Sequence, residues 1–202
     1  MIFAALALAI GAPSFDCGRA STIVEKMICA DAELAALDRA IARLYAGVPR
    51  ADRTGNRVGG LWRKQADWLK ERDHCAAKKC LTAIYDERLF DLFTTSQTPT
   101  REYQSKEVNG TMSILDVGGG WYAFLVQGLW IGSNPGQVNT DIQYGHFKLA
   151  HGKAAQAPGE DCGWQIQRLS RDRWQFTELM SDDRSMIGCG GLNATATGIY
   201  SR

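Results

Sequence analysis

The first half of the chain has apolar residues at the three- and four-residue spacing of amphipathic helices. Thr22, followed three positions later by Glu25, has the pattern of a capping box that begins a short helix. Asp31 can cap the next helix, and Gly47 can end it. The apolar stripe of that second helix consists of Leu34, Leu37, Ile41 and Leu44.

Two further helices are predicted over residues 61–73 and 80–93, each with one apolar side. Short connections make consecutive helices antiparallel neighbours, so residues 14–97 are predicted to form a small helical bundle. A bundle of this size has a small core, for which covalent bridges can compensate. We expect this half to fold independently.

The pattern changes after a polar segment at residues 98–107, which is typical of a linker. Over residues 108–202, short runs of β-branched and aromatic residues alternate with Gly and Asn turns. The spacing predicts about six to eight strands in a small antiparallel barrel or sandwich, and hence an α+β protein. The candidate strands are 111–117, 121–131, 140–150, 162–169, 174–180 and 194–200.

The N-terminal segment is an apolar run at residues 2–10, followed by the small residues Gly11 and Ala12. The run is too short to span a bilayer, which needs about 20 residues, and it matches the core of a secretory signal peptide. The basic residues that usually precede such a core are missing, and a buried N-terminal helix is the alternative. Residues 1–13 are therefore interpreted as a leader, and the mature protein as periplasmic or secreted. Since no lipobox precedes Cys17, no stable membrane anchor is expected.

Six cysteines behind a leader-like segment predict a disulfide framework. Cys162 and Cys189 are remote from the other four, so they should pair with each other. The remaining four are Cys17, Cys29, Cys75 and Cys80.

The pairing of those four cysteines follows from the bundle geometry. Antiparallel packing brings the start of the second helix, and with it Cys29, close to the loop that holds Cys75 and Cys80. We therefore expect two bridges that join the Cys17/Cys29 segment to the Cys75/Cys80 segment, in an undetermined order. A local Cys75–Cys80 bridge is the alternative.

A zinc site is a second use for the same sulfur atoms. His74 with Cys29, Cys75 and Cys80 would supply four ligands, but four residues separate Cys75 from Cys80 where two are usual. Export further disfavours thiolate ligands, so neither a metal nor a cofactor is expected.

Four polar residues lie on or beside the apolar stripes of the bundle: Asp38, Gln65, Arg72 and Arg88. Isolated buried charge is costly, so such residues usually pair with each other between helices. We interpret them as a structural network. A carboxylate site is the alternative, although one Asp beside Gln and Arg does not form an acid/base pair.

A family resemblance rests on motifs in this half. They are CGRASTIVEKMIC at residues 17–29, LAALD at 34–38, Tyr45, QADWLKERDHC at 65–75, CL at 80–81 and YDER at 85–88. Together they resemble the N-terminal domain of the LprI-type lysozyme inhibitor family, except that the lipobox of its lipoprotein members is absent. The resemblance implies a helical, disulfide-bonded, exported module whose partner is a lysozyme or another cell-wall hydrolase.

Charge and aromatic content narrow the remaining functions. The formal net charge of +1 gives no indication of nucleic-acid binding. Most tryptophans of the second half should be core residues, while one or two near turns can anchor a partner. The candidate binding residues are Trp121 and Tyr122, beside a Gly-rich turn, and the acidic pair Asp182 and Asp183.

The sequence contains no evident catalytic constellation. The three histidines, His74, His146 and His151, are expected to be solvated or packed, and the cysteines are committed to bridges. We therefore predict an exported binding protein that inhibits a lysozyme. The alternatives are a periplasmic small-ligand or glycan-binding module, which a hollow β domain would favour, and a cell-wall hydrolase, which requires two facing carboxylates.

Overall fold

A computed structural model describes residues 11–49, 65–134, 136–156, 162–179, 189 and 194–202. The apolar run at residues 2–10 lies outside this description, as do Asp182, Asp183 and the first part of the predicted third helix. The described chain is α+β, with helices followed by strands.

The described residues contain four α-helices, and the first two start at the predicted caps, Thr22 and Asp31. Thr22 Oγ1 accepts the N–H of Glu25, whose carboxylate accepts the N–H of Thr22 in return. Asp31 accepts two N–H groups at the start of the next helix. These bonds satisfy donors that a helix end leaves unpaired. The helices are α1 (Ile23–Ala30), α2 (Ala32–Ala46), α3 (Gln65–Arg72) and α4 (Lys78–Phe93).

The disulfides of the helical half are both local, which corrects the predicted cross-bridges. Cys17 pairs with Cys29, 12 positions along the chain, and Cys75 pairs with Cys80, five positions along. The start of α2 does lie near the 75–80 loop, as the bundle geometry requires. An ion pair makes that connection in place of a disulfide: Lys78 Nζ lies 2.7 Å from Asp31 Oδ2.

Eight strands form one antiparallel sheet in the order β4-β3-β2-β1-β8-β7-β6-β5. The sheet curls into a nearly closed barrel, whose edge strands β4 and β5 are adjacent at the Ala150–Lys153 bridge. The strands are β1 (Arg101–Ser105), β2 (Gly110–Gly118), β3 (Trp121–Ile131), β4 (Val138–Lys148), β5 (Lys153–Gln156), β6 (Gly163–Ser170), β7 (Arg173–Leu179) and β8 (Gly198–Ser201).

Two of these strands differ from the sequence prediction. The segment predicted as a linker, residues 98–107, contains β1, in which Tyr103 and Ser105 are buried and their neighbours exposed. Strand β5 was also not predicted, because it is short and mostly exposed. A third bridge, Cys162–Cys189, has the predicted pairing.

The interior of the barrel is filled with side chains. Aromatic rings contact one another across it; the centroids of Phe124 and Trp164, for example, are 5.0 Å apart in an edge-to-face arrangement. Side chains of the described residues therefore occupy the interior, where an enclosed ligand would have to lie. The buried residues are Tyr103, Met112, Ile114, Phe124, Val126, Phe147, Trp164, Ile166, Trp174, Phe176, Ala196 and Tyr200.

The helices pack on the outer face of β2, β3 and β4. Leu115, Val117 and Ala123 face the helices and belong to the same apolar cluster as the bundle core. The Arg39 side chain donates to the Val117 carbonyl at 2.9 Å. The two halves therefore share part of one core.

Candidate functional site

A cleft of about 770 Å³ opens where the helices meet the seam between β4 and β5. Helices α2 and α4 form one wall, and the edge strands of the barrel form the other. Its lining includes Glu33, Asp86, Trp121, His146, Lys148 and Trp164.

His146 is the central polar residue of this cleft. It lies on β4, pointing toward the helices because Phe147 beside it points into the barrel. Its Nδ1 lies 2.8 Å from Asp86 Oδ1 on α4, and its Nε2 lies 2.9 Å from Glu33 Oε1 on α2. Both ring nitrogens therefore face a carboxylate, an arrangement that only the doubly protonated imidazolium satisfies.

The charges of this cluster are consistent with that geometry. Burial lowers the pKa of His146, but the hydrogen bonds to Asp86 and Glu33 outweigh it and raise this pKa to about 9. The hydrogen bond from His146, assisted by Lys78, outweighs desolvation at Glu33 and lowers the pKa of that carboxyl to about 2. At neutral pH the cluster thus holds an imidazolium between two carboxylates.

This ionisation state decides what chemistry the cleft can perform. A glycosidase needs one carboxyl with a raised pKa to protonate the leaving group. Glu33 has its pKa shifted in the opposite direction, and Asp86 is engaged by the imidazolium. Both facing carboxylates therefore pair with His146, and Glu33 lacks the raised pKa that a general acid needs.

Of the two candidate binding residues beside the Gly-rich turn, only Trp121 lines the cleft. Trp121 is stacked on His146 with the ring centroids 6.0 Å apart, and Lys148 Nζ lies 5.8 Å from the same ring. Tyr122 packs on the barrel core against Phe147. Asp182 and Asp183 lie outside the described residues.

The predicted polar residues of the bundle lie around Trp68 and Tyr85. Arg88 donates to Gln65 Oε1 at 3.0 Å. The Arg88 and Arg72 guanidinium carbons both lie 5.8 Å from the Trp68 ring centroid. Asp38 accepts from the Tyr85 hydroxyl and from a backbone N–H, that of Ser14.

These contacts connect α2 and α3 to α4. The sulfur atoms of the zinc alternative are all in disulfides. Across the described ranges, no group of three or more His, Cys, Asp and Glu side chains is arranged to hold a metal ion.

A second buried acidic group, which the sequence did not predict, lies at one end of the barrel. Asp141 Oδ2 and Glu178 Oε1 both accept the N–H of Ala196, at 2.9 and 2.6 Å. Burial, and then a hydrogen bond with Asp141, raises the pKa of Glu178 to about 8. Glu178 therefore keeps its proton at neutral pH, and both carboxyls hold residues 194–197 across the barrel end through the Ala196 N–H.

No family model and no solved structure matches this chain. No helix within the described residues is long and apolar enough to cross a membrane.

Curated relatives are found in mycobacteria. The chain is 27% identical, over 108 residues, to the protein named Lipoprotein LprI of Mycobacterium bovis and of two strains of Mycobacterium tuberculosis. The match covers 50% of this chain, and the chain spans about half the length of these relatives, 53%. This chain is therefore similar to Lipoprotein LprI over half of its length.

Proposed function

We propose that this chain is an exported protein of the bacterial envelope that inhibits a lysozyme by binding to it. The observation that carries the proposal is the similarity to Lipoprotein LprI, together with the ordered cysteine motifs of the helical half. Three disulfides in the described chain agree with an oxidising compartment.

Binding fits the geometry better than catalysis. The barrel interior is filled, the cleft carboxylates are held by an imidazolium, and the halves are joined by apolar and charged contacts. Such a body loses little conformational entropy on association, which favours a preorganised protein inhibitor.

The test is a lysis assay with purified mature protein and several types of lysozyme, combined with a direct binding measurement. The expected result is dose-dependent protection of cells and saturable binding. Absence of both at micromolar concentration with every lysozyme type would remove the proposal. Mass spectrometry of the native N-terminus tests export separately, with a start near Pro13 expected.

A glycan-binding module is the second candidate, and the cleft is the observation that favours it. Trp121 offers an aromatic ring, and the ammonium groups of Lys148 and Lys153 have no carboxylate partner in the described chain. Calorimetry with peptidoglycan fragments, comparing the native protein with Trp121→Ala, separates this candidate from lysozyme inhibition.

A further inference from the structure

The β3–β4 hairpin extends beyond the rest of the sheet. Pairing of β2 with β3 ends at Thr111↔Gln127, whereas pairing of β3 with β4 continues to Ile131↔Val138. One further contact, from the Leu129 N–H to the Val108 carbonyl at 3.1 Å, supports the base of the extension. Residues 129–134 and 136–139, which we term the hairpin tip, therefore project from the barrel.

The hairpin tip exposes apolar side chains in a paired arrangement. Ile131 is 62% exposed and its cross-strand partner Val138 is 51% exposed. Beside them, Leu129 and Trp130 line a depression of about 260 Å³, whose other side is the β1–β2 turn with the charged residues Lys106 and Glu107. Neighbouring exposed apolar side chains are typical of contact surfaces, so the pair is suited to contact with a partner.

The polar groups of the tip are amides and hydroxyls. No Asp, Glu, Lys, Arg or His occurs between Asp116 and Asp141. The tip instead carries Ser and Thr hydroxyls and Asn and Gln amides, at Ser133, Asn134, Gln137, Asn139 and, just after it, Thr140.

The base of the hairpin is held rigidly. Gly128 pairs with Asp141, whose carboxylate accepts the Ala196 N–H. A Cβ atom at Gly128 would collide with the Thr195 carbonyl oxygen, so the crossing segment lies directly against β3. The Asp141–Glu178 pair thus fixes the direction in which the tip projects.

We propose that the hairpin tip enters the carbohydrate-binding groove of the lysozyme that this protein inhibits. The inference rests on the proposed function and identifies the contact surface. A polysaccharide with N-acetyl groups presents amides, hydroxyls and apolar faces, and no positive charge. The tip presents the same kinds of group, so a groove built for that polymer can hydrogen-bond it without desolvating an ion.

A second copy of this chain fits the tip less well. Stable homodimers bury large and mainly apolar interfaces, on the order of 1,600 Å² or more in total. Here two exposed aliphatic side chains are surrounded by hydrogen-bonding groups. A narrow two-stranded projection is shaped for a groove and gives little area against a copy of itself.

The experiment uses the full mature chain with the double substitution Ile131→Asp/Val138→Lys, which keeps opposite charges at these paired positions. Both side chains are exposed, so thermal stability should change little, while lysozyme inhibition should weaken at least about tenfold because central apolar contacts dominate binding. The exchanged pair, Ile131→Lys/Val138→Asp, should weaken inhibition as well. Neither variant changes the net charge, so loss of inhibition in both indicates lost apolar contact and not an altered attraction to the enzyme.

The matched control is Ile23→Asp/Leu169→Lys. These residues are 75% and 40% exposed and lie on α1 and at the end of β6, so inhibition should stay at the native level. Sedimentation of each variant tests self-association.

The outcomes distinguish this inference from the proposed function. If the native protein inhibits no lysozyme, the proposed function fails. If the native protein inhibits and the tip variants inhibit equally, only the tip assignment is overturned. A native dimer that the tip variants dissociate, with inhibition intact, would also overturn it and assign the tip to self-association.

Discussion

His146 and Glu33 are 113 positions apart in the chain, yet their Nε2 and Oε1 atoms lie 2.9 Å apart. The contact joins β4 of the barrel to α2 of the bundle, and Asp86 adds the same kind of link from α4. The two halves are therefore held together by a charged cluster at the rim of the cleft as well as by the apolar cluster beneath it.

Removing the imidazole should weaken the whole protein. His146→Ala leaves Glu33 and Asp86 facing each other without the cation that they share. The free energy of unfolding should fall by about 2–3 kcal/mol. This loss is smaller than for a fully buried ion pair because both carboxylates are partly exposed. Urea denaturation at pH 6 measures the change. His151→Asn is the control, since His151 lies in an exposed turn at φ 49°, which Asn tolerates. An unchanged midpoint for His146→Ala would contradict the cluster's structural role.

The His146–Glu33 pair should contribute most to stability between about pH 4.5 and pH 6.5. The pKa of His146 is raised from 6.5 to about 9, so the folded state holds more protons over that interval and stability falls as pH rises through it. The pKa of Glu33 is lowered from 4.5 to about 2, so stability also falls as pH drops from 4.5 toward 2. Thermal melts from pH 3 to pH 9.5 test this, and His146→Ala should flatten the alkaline side.

Glu178→Gln should remove a separate loss of stability, which occurs in the native protein as pH rises from 4.5 to about 8. The raised pKa of Glu178, from 4.5 to about 8, means that folded protein binds the extra proton and that stability declines as pH rises across this range. A Gln amide can donate to Asp141 at every pH while its oxygen accepts from Ala196. The variant should therefore equal or exceed the native melting temperature at pH 8.5. Glu102→Gln, on the exposed face of β1, is the control. If the melting temperature changes with pH at the same slope in the native protein, Glu178→Gln and Glu102→Gln, Glu178 does not hold the extra proton.

The disulfides should contribute in order of the loop that each closes. Their partners lie 27, 12 and 5 positions apart, for Cys162–Cys189, Cys17–Cys29 and Cys75–Cys80 respectively. Loop entropy predicts losses of about 3.5, 3 and 2 kcal/mol when both cysteines of a bridge become Ser. Denaturant titration ranks the three variants. Peptide mapping that links Cys29 to Cys75 or Cys80 would contradict the local pairing.

The isolated helical half tests how far the shared core matters. A fragment of residues 14–97 loses contact with Leu115, Val117 and Ala123, and Glu33 and Asp86 lose His146. Independent folding remains the prediction, with a melting temperature well below that of the full chain. A fragment without a cooperative melt would show that the barrel is required.

Local signals in the sequence predicted local structure well. The caps at Thr22 and Asp31 are short-range hydrogen bonds, so residue type and spacing are sufficient to place them. Strand β3 begins and ends where its apolar run does. Strands β1 and β5 carry no such signal, because their residues are mostly polar and neighbouring strands determine their pairing.

The sequence was less informative about contacts between distant segments. Proximity of α2 to the 75–80 loop was predicted, but Lys78, not a cysteine, makes the connection. His146 was expected to be solvated or packed, and alternation along β4 indicates only that it points away from Phe147. Its two carboxylate partners come from helices whose docking on the sheet the sequence does not specify.

The position of β8 has a consequence for the order of assembly during synthesis. This strand lies between β1 and β7, and pairs Gln104 with Ser201 across nearly the whole second half of the chain. The ribosome synthesises β1 long before β8, its neighbour on one side. Strands β1 and β7 therefore each keep one unpaired edge until β8 has been synthesised. Open edges are sites of aggregation, and distant pairings fold slowly. Nascent forms of this protein should therefore depend on chaperones until the ribosome releases β8.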